Sequence, residues 1–285
     1  MPELPEVEAL CRSLDDQLRG RVVADLTMRS VAALKTYDPP VSALHGRAVT
    51  GCRRRGKFID IGIAPLHLVV HLARAGWLRF REEAREARPA QRGPLAALLT
   101  FTDGSSLEMT EQGTEKRLAV YIARRPEDIV GVARLGIDAL DPSLTEERLG
   151  ELLRGAHGTI KNALADQAVI AGVGNAYSDE ILHAARVSPF RTASRLDGAE
   201  LARVHAALGE VLRAAVDRAL HAEVTSLRDA KRSAMRVHGR AGGTCPVCGD
   251  TVREVSMSTK SFQYCPACQT GGRVYADRRL SRLLR

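Results

Sequence analysis

Four cysteines near the end of the sequence have the spacing of a metal site. In CPVCGDTVREVSMSTKSFQYCPAC they follow the pattern C-x2-C-x16-C-x2-C. Four thiolates at this spacing can surround a zinc ion tetrahedrally, and because every ligand then comes from the protein, the zinc is structural and not catalytic. A redox pair or a disulfide is the alternative. The predicted ligands of one structural Zn²⁺ are Cys245, Cys248, Cys265 and Cys268.

The first eight residues, MPELPEVE, are crowded with prolines and acids. Pro5 suits the first turn of a helix, and Glu6 and Glu8 suit the positive end of the helix dipole. Apolar residues then recur at helical spacing, which predicts a helix over roughly the first twenty residues. A helix explains neither Pro2 nor Glu3.

Two further stretches combine glycine with basic or polar residues. CRRRGKFIDI surrounds Gly56 with arginines and Lys57, which predicts a hairpin turn that is either simply solvated or in contact with phosphate. AGVGN, residues 171–175, separates two apolar helical patterns, and the second of them starts just after Asn175. Free N–H groups at a helix start suit a phosphate, although an ordinary helix–turn–helix needs only one glycine here. Lys260, between the cysteine pairs, is a phosphate contact or a solvated turn lysine.

The elements that must position these residues fall into distinct parts of the chain. Short apolar stretches punctuated by glycine and proline predict an antiparallel β domain, with a polar surface loop over residues 81–94. From Ser143 the apolar period becomes helical. We therefore predict an α+β protein. Its parts are an N-terminal β domain over 1–134, a linker over 135–142, a helical domain over 143–240 and a zinc-finger β-hairpin over 241–285.

Composition restricts the partners and the compartment. The 285 residues carry a net charge of +8 and a pI near 9.5, which indicates an anionic partner, most commonly nucleic acid. No apolar run approaches the roughly 20 residues needed to cross a bilayer, and the N-terminus has no secretion signal. We expect a cytoplasmic protein without membrane contact. Cys11 and Cys52 are left over from the metal motif. Cys11 lies on the apolar stripe of the first helix, so it is predicted to be core and is given no role.

Together these segments resemble the formamidopyrimidine-DNA glycosylase and endonuclease VIII family of bifunctional DNA-repair enzymes. The resemblance rests on MPELPEVE, RRRGKF, IKNALADQAVIAGVGNAYSDEILHAARVSP, VHGRAGGTC and the four cysteines, in this order. MPELPE is nearer to the formamidopyrimidine branch. The resemblance implies an N-terminal antiparallel β-sandwich with a flanking helix, and a C-terminal helical domain with a helix–two-turns–helix motif and a four-cysteine zinc finger.

The resemblance also implies catalytic roles. Removal of Met1 leaves Pro2 as a terminal secondary amine. Such an amine titrates at about 7.7–8.0, against about 10.4 for lysine, so more of it is neutral and nucleophilic. In the family it attacks the deoxyribose C1′ of a flipped-out damaged nucleotide, expels the base and forms a Schiff base that permits β- and δ-elimination. Glu3 is then the proton donor to the sugar ring oxygen and Lys57 serves in base release. Glu6 is a supporting acid or only part of the helix start.

DNA contacts follow from the same resemblance. Asn175 and Lys260 match the pair that holds the phosphates flanking the lesion, and Lys161 is a further candidate in the helical motif. The family carries arginine where this chain has Lys260, and a lysine lacks the bidentate fork, so we expect looser phosphate binding. The family fills the space left by the flipped base with a methionine, an arginine and a phenylalanine, and the corresponding residues here are Arg74, Lys116 and Leu118.

Residues 221–240 form a shorter stretch than the loop that caps 8-oxoguanine in the formamidopyrimidine branch, which argues against that substrate. We predict a monomeric DNA glycosylase and abasic-site lyase of base excision repair that removes oxidised or ring-opened bases from damaged double-stranded DNA. One alternative is a lesion-binding protein of the same fold with weak or no excision. It is suggested by Lys260 and by the residues that fill the space of the flipped base (Arg74, Lys116 and Leu118, the wedge residues), because both differ from those of the family. Another is a zinc-finger transcription factor, which leaves MPELPE unexplained.

Overall fold

The structure is a computed structural model that describes residues 1–83, 94–257 and 260–276. By their contacts the described residues form two compact units. The first comprises Met1–Pro2 and Glu6–Arg134, and the second comprises Glu3–Pro5 and Leu135–Arg285. The surface loop predicted over 81–94 falls largely on residues 84–93, which lie outside the described residues.

The first unit combines a helix with two antiparallel sheets. Its main helix is α1 (Leu4–Leu18), on which the predicted apolar stripe is buried. The strands are β1 (Val23–Met28), β2 (Gly51–Arg55), β3 (Phe58–Ile63), β4 (Leu66–His71), β5 (Gly76–Arg81), β6 (Leu95–Phe101), β7 (Ser106–Glu111) and β8 (Ala119–Ala123). Among the described residues each sheet has four strands, in the orders β1-β6-β7-β5 and β2-β3-β4-β8. A short helix, α2 (Val130–Ala133), closes this unit.

Strand β7 alternates between buried and partly exposed residues with a period of two. In β7, Leu107 and Met109 are buried while Glu108 and Thr110 are partly exposed. Successive side chains of a strand point to opposite faces, so one face of β7 covers the core and the other meets solvent. The apolar stretches predicted as strands form β1 to β8 in sequence order, which confirms the α+β class.

The second unit is mainly helical. Its helices are α3 (Glu146–Gly155), α4 (Ile160–Leu164), α5 (Asn175–Ala184), α6 (Gly198–Leu220), α7 (Leu227–Ala234) and α8 (Pro266–Thr270). The parallel strands β9 (Ile137–Asp138) and β10 (Ile170–Ala171) pair with each other, and β11 (Arg253–Met257) and β12 (Lys260–Tyr264) form a hairpin. Thr145 caps α3, because its side chain accepts a hydrogen bond from the Arg148 N–H at 3.2 Å. None of the helices in the described part of the chain could cross a membrane.

Residues 135–142, which we expected to form a linker, are packed structure of the second unit. Ile137 pairs with Ile170 through the β9–β10 contact. Ala139 is buried in the apolar core that the helices share. Strand pairing and burial therefore begin directly after Arg134.

Candidate functional site

Glu3 occupies the N-terminal end of helix α5. Its carboxylate accepts hydrogen bonds from the backbone N–H groups of Gly174 at 2.8 Å, Ala176 at 3.0 Å and Tyr177 at 3.2 Å. Only 2% of Glu3 is exposed. N–H groups without a partner inside the helix make a helix start an anion site, and the sequence pattern indicates a phosphate there. In the structure, the anion at this position is the chain's own Glu3 carboxylate.

The glycine-rich segment 171–175 is shaped to receive the N-terminal residues. Gly172 has a φ of +101°, a conformation that side chains disfavour. Its carbonyl accepts a hydrogen bond from the Leu4 N–H at 3.1 Å, and the Leu4 side chain lies where a Cβ on Gly172 would be. Gly172 is therefore needed for the close approach that fixes Glu3, the residue before Leu4 in the sequence.

Lys231 on α7 lies beside Glu3, although the sequence analysis did not single it out. Its Nζ is 3.8 Å from Glu3 Oε1 and 4.6 Å from the centroid of the Tyr177 ring. A positive charge and backbone N–H donors together stabilise an ionised carboxylate. Lys231 stands among other basic residues of α7, so no local pattern marks it.

Asn175, the first residue of α5, carries an open hydrogen-bonding position. Its side-chain Oδ1 is buried and has no hydrogen-bond partner among the described residues. Its main-chain carbonyl accepts hydrogen bonds from Lys161 Nζ at 3.2 Å and from Ser178 Oγ at 3.1 Å. Buried polar atoms are normally paired, so the Asn175 side-chain amide is the group at this helix start that is suited to a ligand.

In the first unit, the hairpin between β2 and β3 presents Lys57. Arg55 pairs with Phe58, so the turn consists of Gly56 and Lys57, and Gly56 has the φ of +56° that tight hairpin turns require at this position. Lys57 is 7% exposed. Burial and, second, the charge of Lys57 lower the pKa of His71 to about 4, so this histidine is neutral beside the lysine at neutral pH.

The neighbouring arginines mainly hold this hairpin in place. Arg54 Nε donates to Glu8 Oε2 at 2.8 Å, and Arg55 Nε donates to Asp60 Oδ2 at 2.8 Å. Arg53 is exposed. Internal ion pairs therefore account for part of the RRRGK charge that the sequence analysis considered for phosphate.

The four cysteines of the zinc motif flank the hairpin β11–β12 and lie together. Their Sγ atoms are within 4.8 Å of one another, with 3.9 Å between Cys245 and Cys268 and 3.3 Å between Cys248 and Cys265. A Zn–S bond of about 2.3 Å places the sulfurs of a tetrahedral site about 3.8 Å apart. The four thiols therefore fit a metal such as zinc.

Comparison with known proteins decides the family. The sequence matches the formamidopyrimidine-DNA glycosylase N-terminal domain over residues 1–117 and the formamidopyrimidine-DNA glycosylase H2TH domain over residues 135–226. A formamidopyrimidine-DNA glycosylase from Symbiobacterium thermophilum is 33% identical over 276 residues, which cover 94% of this chain and 89% of the relative. The chain belongs to the formamidopyrimidine-DNA glycosylase family.

Other relatives agree with this membership. An uncharacterized formamidopyrimidine-DNA glycosylase-like protein of Mycobacterium tuberculosis is 58% identical over 151 residues, covering 53% of this chain and 94% of that protein. The solved MutM (Fpg) structure from Thermus thermophilus is 29% identical with a TM-score of 0.79, covering 94% of this chain and 98% of that one. Lactococcus lactis Fpg, solved with Fapy-dG-containing DNA, shares the fold at a TM-score of 0.81 and 22% identity, over 94% of this chain and 100% of that one. The resemblance inferred from the sequence is confirmed.

Within this glycosylase fold, Lys161 has an internal position. It is completely buried, and its Nζ pairs with the carboxylate of Asp179, which is also completely buried. Burial lowers the pKa of Lys161, and the attraction of Asp179 opposes this change. The side chain of Lys161 forms an internal ion pair and also donates to the Asn175 carbonyl. The DNA contact given to Lys161 stays a prediction.

The predicted wedge residues also differ in exposure. Arg74 and Lys116 are exposed, but Leu118 is 2% exposed, and its N–H donates to Glu111 Oε1 at 2.8 Å. Leu118 is a buried residue of its unit, because it continues the apolar pattern of β8, and its DNA contact stays a prediction. Arg117, which lies between Lys116 and Leu118, is also exposed and was not identified from the sequence. Its guanidinium lies 3.3 Å from the Glu115 carboxylate.

The remaining predicted residues are distributed over both units. Pro2, Glu6 and Lys57 are buried residues of the first unit. Lys260, the first residue of β12, is partly buried and belongs to the second unit, as do Glu3 and Asn175. The structure therefore brings Glu3 and Asn175 together at the start of α5. The catalytic and DNA-binding roles given to these residues stay predictions.

Two adjacent acids of α5, missed in the sequence, hold residues 236–238 and strand β12 to this helix. Glu180 accepts hydrogen bonds from the N–H groups of residues 236–238 at 2.8–2.9 Å. Asp179 bonds His238 Nδ1 at 2.9 Å and accepts from the Gln263 N–H at 3.2 Å. Two adjacent acids beside the apolar residues Ile181 and Leu182 were the available signal, since buried charges require partners.

His183, further along α5, touches one of the predicted metal ligands. Its Nε2 is 3.3 Å from Cys245 Sγ, and its ring is 2% exposed. Burial lowers the pKa of His183 to about 4, so the ring is neutral. A metal-bound thiolate can only accept hydrogen bonds, so the favoured tautomer carries its proton on Nε2 and donates it to Cys245.

We expect His183→Phe, which keeps a planar ring but removes the N–H donor, to release bound zinc about 10-fold faster. The release rate is measured with a chromogenic chelator added to the zinc-loaded chain. His205→Phe is the matched control, because His205 binds the Leu144 carbonyl at 2.8 Å and not a cysteine. Equal release from His183→Phe and the unchanged chain would contradict the hydrogen bond to Cys245.

Proposed function

We propose that this chain is a bifunctional DNA glycosylase and abasic-site lyase that removes oxidised or ring-opened bases from damaged duplex DNA. Membership of the formamidopyrimidine-DNA glycosylase family supports the glycosylase activity. The observation that carries the proposal is the binding of Glu3 at the start of α5. These hydrogen bonds fix the buried Glu3 carboxylate. Glu3 directly follows Pro2, whose nitrogen becomes a free secondary amine when Met1 is removed.

The first step is attack by that amine. The lone pair of the Pro2 nitrogen forms a bond to C1′ of the damaged nucleotide, while the bond from C1′ to the base breaks and its electron pair leaves with the base. Lys57 assists this departure by donating a proton to the base. The Pro2 nitrogen becomes positively charged and passes its own proton to the Glu3 carboxylate.

Ring opening then gives the Schiff base. Glu3 returns the proton to the ring oxygen O4′ as the C1′–O4′ bond breaks, and the nitrogen lone pair forms the C=N bond. Glu3 can accept and then donate this proton because it starts as a carboxylate. Backbone N–H groups and Lys231 hold that carboxylate in place. Loss of a C2′ proton expels the 3′ phosphate, and a second elimination expels the 5′ phosphate, which nicks the strand.

Polar groups of the described residues are available to hold the DNA. Arg74 and Lys116 are exposed on the first unit, and Lys260 and the Asn175 amide belong to the second. Zinc bound by the four cysteines supplies structural support for the hairpin that carries Lys260. The net charge of +8 favours association with DNA. We propose that one chain acts alone, in the cytoplasm, on duplex DNA.

Borohydride trapping tests the proposed function. Sodium borohydride reduces a Schiff base to a stable amine, so the Met1-free protein incubated with duplex DNA containing one abasic site is expected to form a covalent complex. The complex is measured on a denaturing gel, with undamaged duplex as the control that forms none. No trapped complex, with binding to abasic-site DNA retained, would instead favour a lesion-binding protein without lyase activity.

A further inference from the structure

Two cysteines outside the metal site face each other between α1 and β2. Cys11 on α1 is 3% exposed and Cys52 on β2 is 9% exposed. Both are free thiols, and their side chains form a hydrogen bond with each other. The proposed reaction uses neither of them, and both belong to the first unit.

Contacts on either side hold the two thiols opposite each other. Glu8, Cys11 and Asp15 lie on one face of α1, because they are three and four residues apart. Arg54 Nε donates to Glu8 Oε2 at 2.8 Å, and the Cys52 N–H donates to Asp15 Oδ1 at 2.6 Å. Cys11 is therefore fixed against Cys52 by an ion pair on one side and a hydrogen bond on the other.

An open pocket reaches both thiols. It has a volume of about 480 Å³ and is lined by Cys11 and Cys52 together with three arginines (Arg12, Arg53 and Arg54) and three acids (Glu8, Asp15 and Asp16). Such a pocket admits a small uncharged oxidant. The thiolate is the nucleophilic form of a cysteine.

We propose that Cys11 and Cys52 are a reversible redox pair that a hydroperoxide converts into an intramolecular disulfide. The Cys52 sulfur attacks one peroxide oxygen, the O–O bond breaks, and Cys52 becomes a sulfenic acid while the other oxygen leaves as water or an alcohol. The Cys11 sulfur then attacks the Cys52 sulfur, and the sulfenic oxygen leaves as water. Two thiols are oxidised to one disulfide, and one peroxide is reduced.

The surroundings of the two thiols determine which of them attacks the peroxide and which one then resolves the sulfenic acid. Cys52 is the more exposed of the pair. The hydrogen bond with Cys52 and then burial raise the pKa of the Cys11 thiol well above its ordinary value. Cys52 is therefore the attacking sulfur, and Cys11 resolves the sulfenic acid. In a reducing compartment a disulfide of this kind is transient, as redox-sensing disulfides are.

The test uses the zinc-loaded full chain treated with hydrogen peroxide, alkylated, digested without reduction and analysed by mass spectrometry. We expect a cross-linked species that joins the peptides of Cys11 and Cys52 and disappears with dithiothreitol. Because the disulfide closes a loop of about 40 residues, we expect the thermal midpoint of the first unit to rise by about 5–10 °C. Trp77, the one tryptophan of the sequence, lies in β5 of this unit and reports the midpoint by fluorescence.

Cys11→Ser is the matched control, and it is expected to give neither the cross-link nor the shift. The proposal is overturned if Cys11 and Cys52 are recovered as thiols after peroxide treatment, or if each is oxidised singly without a cross-link. Because slow access of peroxide to the thiols would also prevent the disulfide from forming, the chain is also equilibrated for a long time with oxidised glutathione. If Cys11 and Cys52 are still thiols after that treatment, the proposal is also overturned. No arm of this experiment depends on DNA or on catalysis, so its outcome is independent of the proposed function.

Discussion

Replacing Pro2 with glycine is expected to lower the rate of strand cleavage at an abasic site by at least about 100-fold. A secondary amine gives a Schiff base that is permanently cationic and draws electrons during elimination, whereas the primary amine of glycine gives a neutral imine. Glycine also lacks the ring that fixes the direction of the nitrogen. The rate is measured with labelled duplex in single turnover, and binding to the same duplex is expected to stay within about threefold, since the nucleophile adds little to binding.

A chain that keeps Met1 is a stricter test of the same nitrogen. With Met1 attached, the Pro2 nitrogen is part of a peptide bond, and its lone pair is delocalised into the carbonyl. We expect this form to cleave no abasic site and to give no borohydride-trapped complex until an aminopeptidase removes Met1. Cleavage that is equal before and after removal would exclude Pro2 and indicate another amine, such as Lys57.

Both segments that form the Glu3 site could be recognised in the sequence, but the contact between them could not. MPELPE marked an acid that no helix explains, and AGVGN marked a helix start that could bind an anion. The two segments are about 170 residues apart, and no local pattern shows that the acid of the first is the anion of the second. Periodicity predicts elements because it reports local geometry, whereas the pairing of distant segments depends on packing.

Lys161 and Leu118 were given DNA contacts from their motifs, and both are buried in the structure. Leu118 continues the apolar alternation of LAVYI, so the periodicity predicts its burial, whereas the family alignment assigns it to the residues that fill the space of the flipped base. Lysine is seldom fully buried, which made Lys161 a natural candidate for DNA contact. Its burial requires Asp179, which lies 18 residues further along the chain on another helix. The four cysteines were easier to predict, because their ligand spacing is local within each pair.

Lys161→Met is expected to lower the free energy of unfolding of the second unit by about 3–5 kcal/mol, because the buried Asp179 carboxylate loses its cation and an unpaired buried charge is costly. Methionine has a similar length but no charge. Urea denaturation followed by far-UV circular dichroism measures the change in the helical unit. Trp77 fluorescence follows the first unit as an internal reference.

Asp179→Asn supplies the matched second variant, because asparagine keeps an oxygen for the Gln263 N–H and removes the charge. In the double variant Lys161→Met, Asp179→Asn no unpaired charge is left. We therefore expect it to be more stable than Lys161→Met alone, with a coupling of at least about 1 kcal/mol. The opposite result would support a DNA contact of Lys161. In that case Lys161→Met would leave the urea midpoint unchanged and weaken DNA binding, and the slope of the logarithm of the binding constant against log salt concentration would decrease in magnitude by about one.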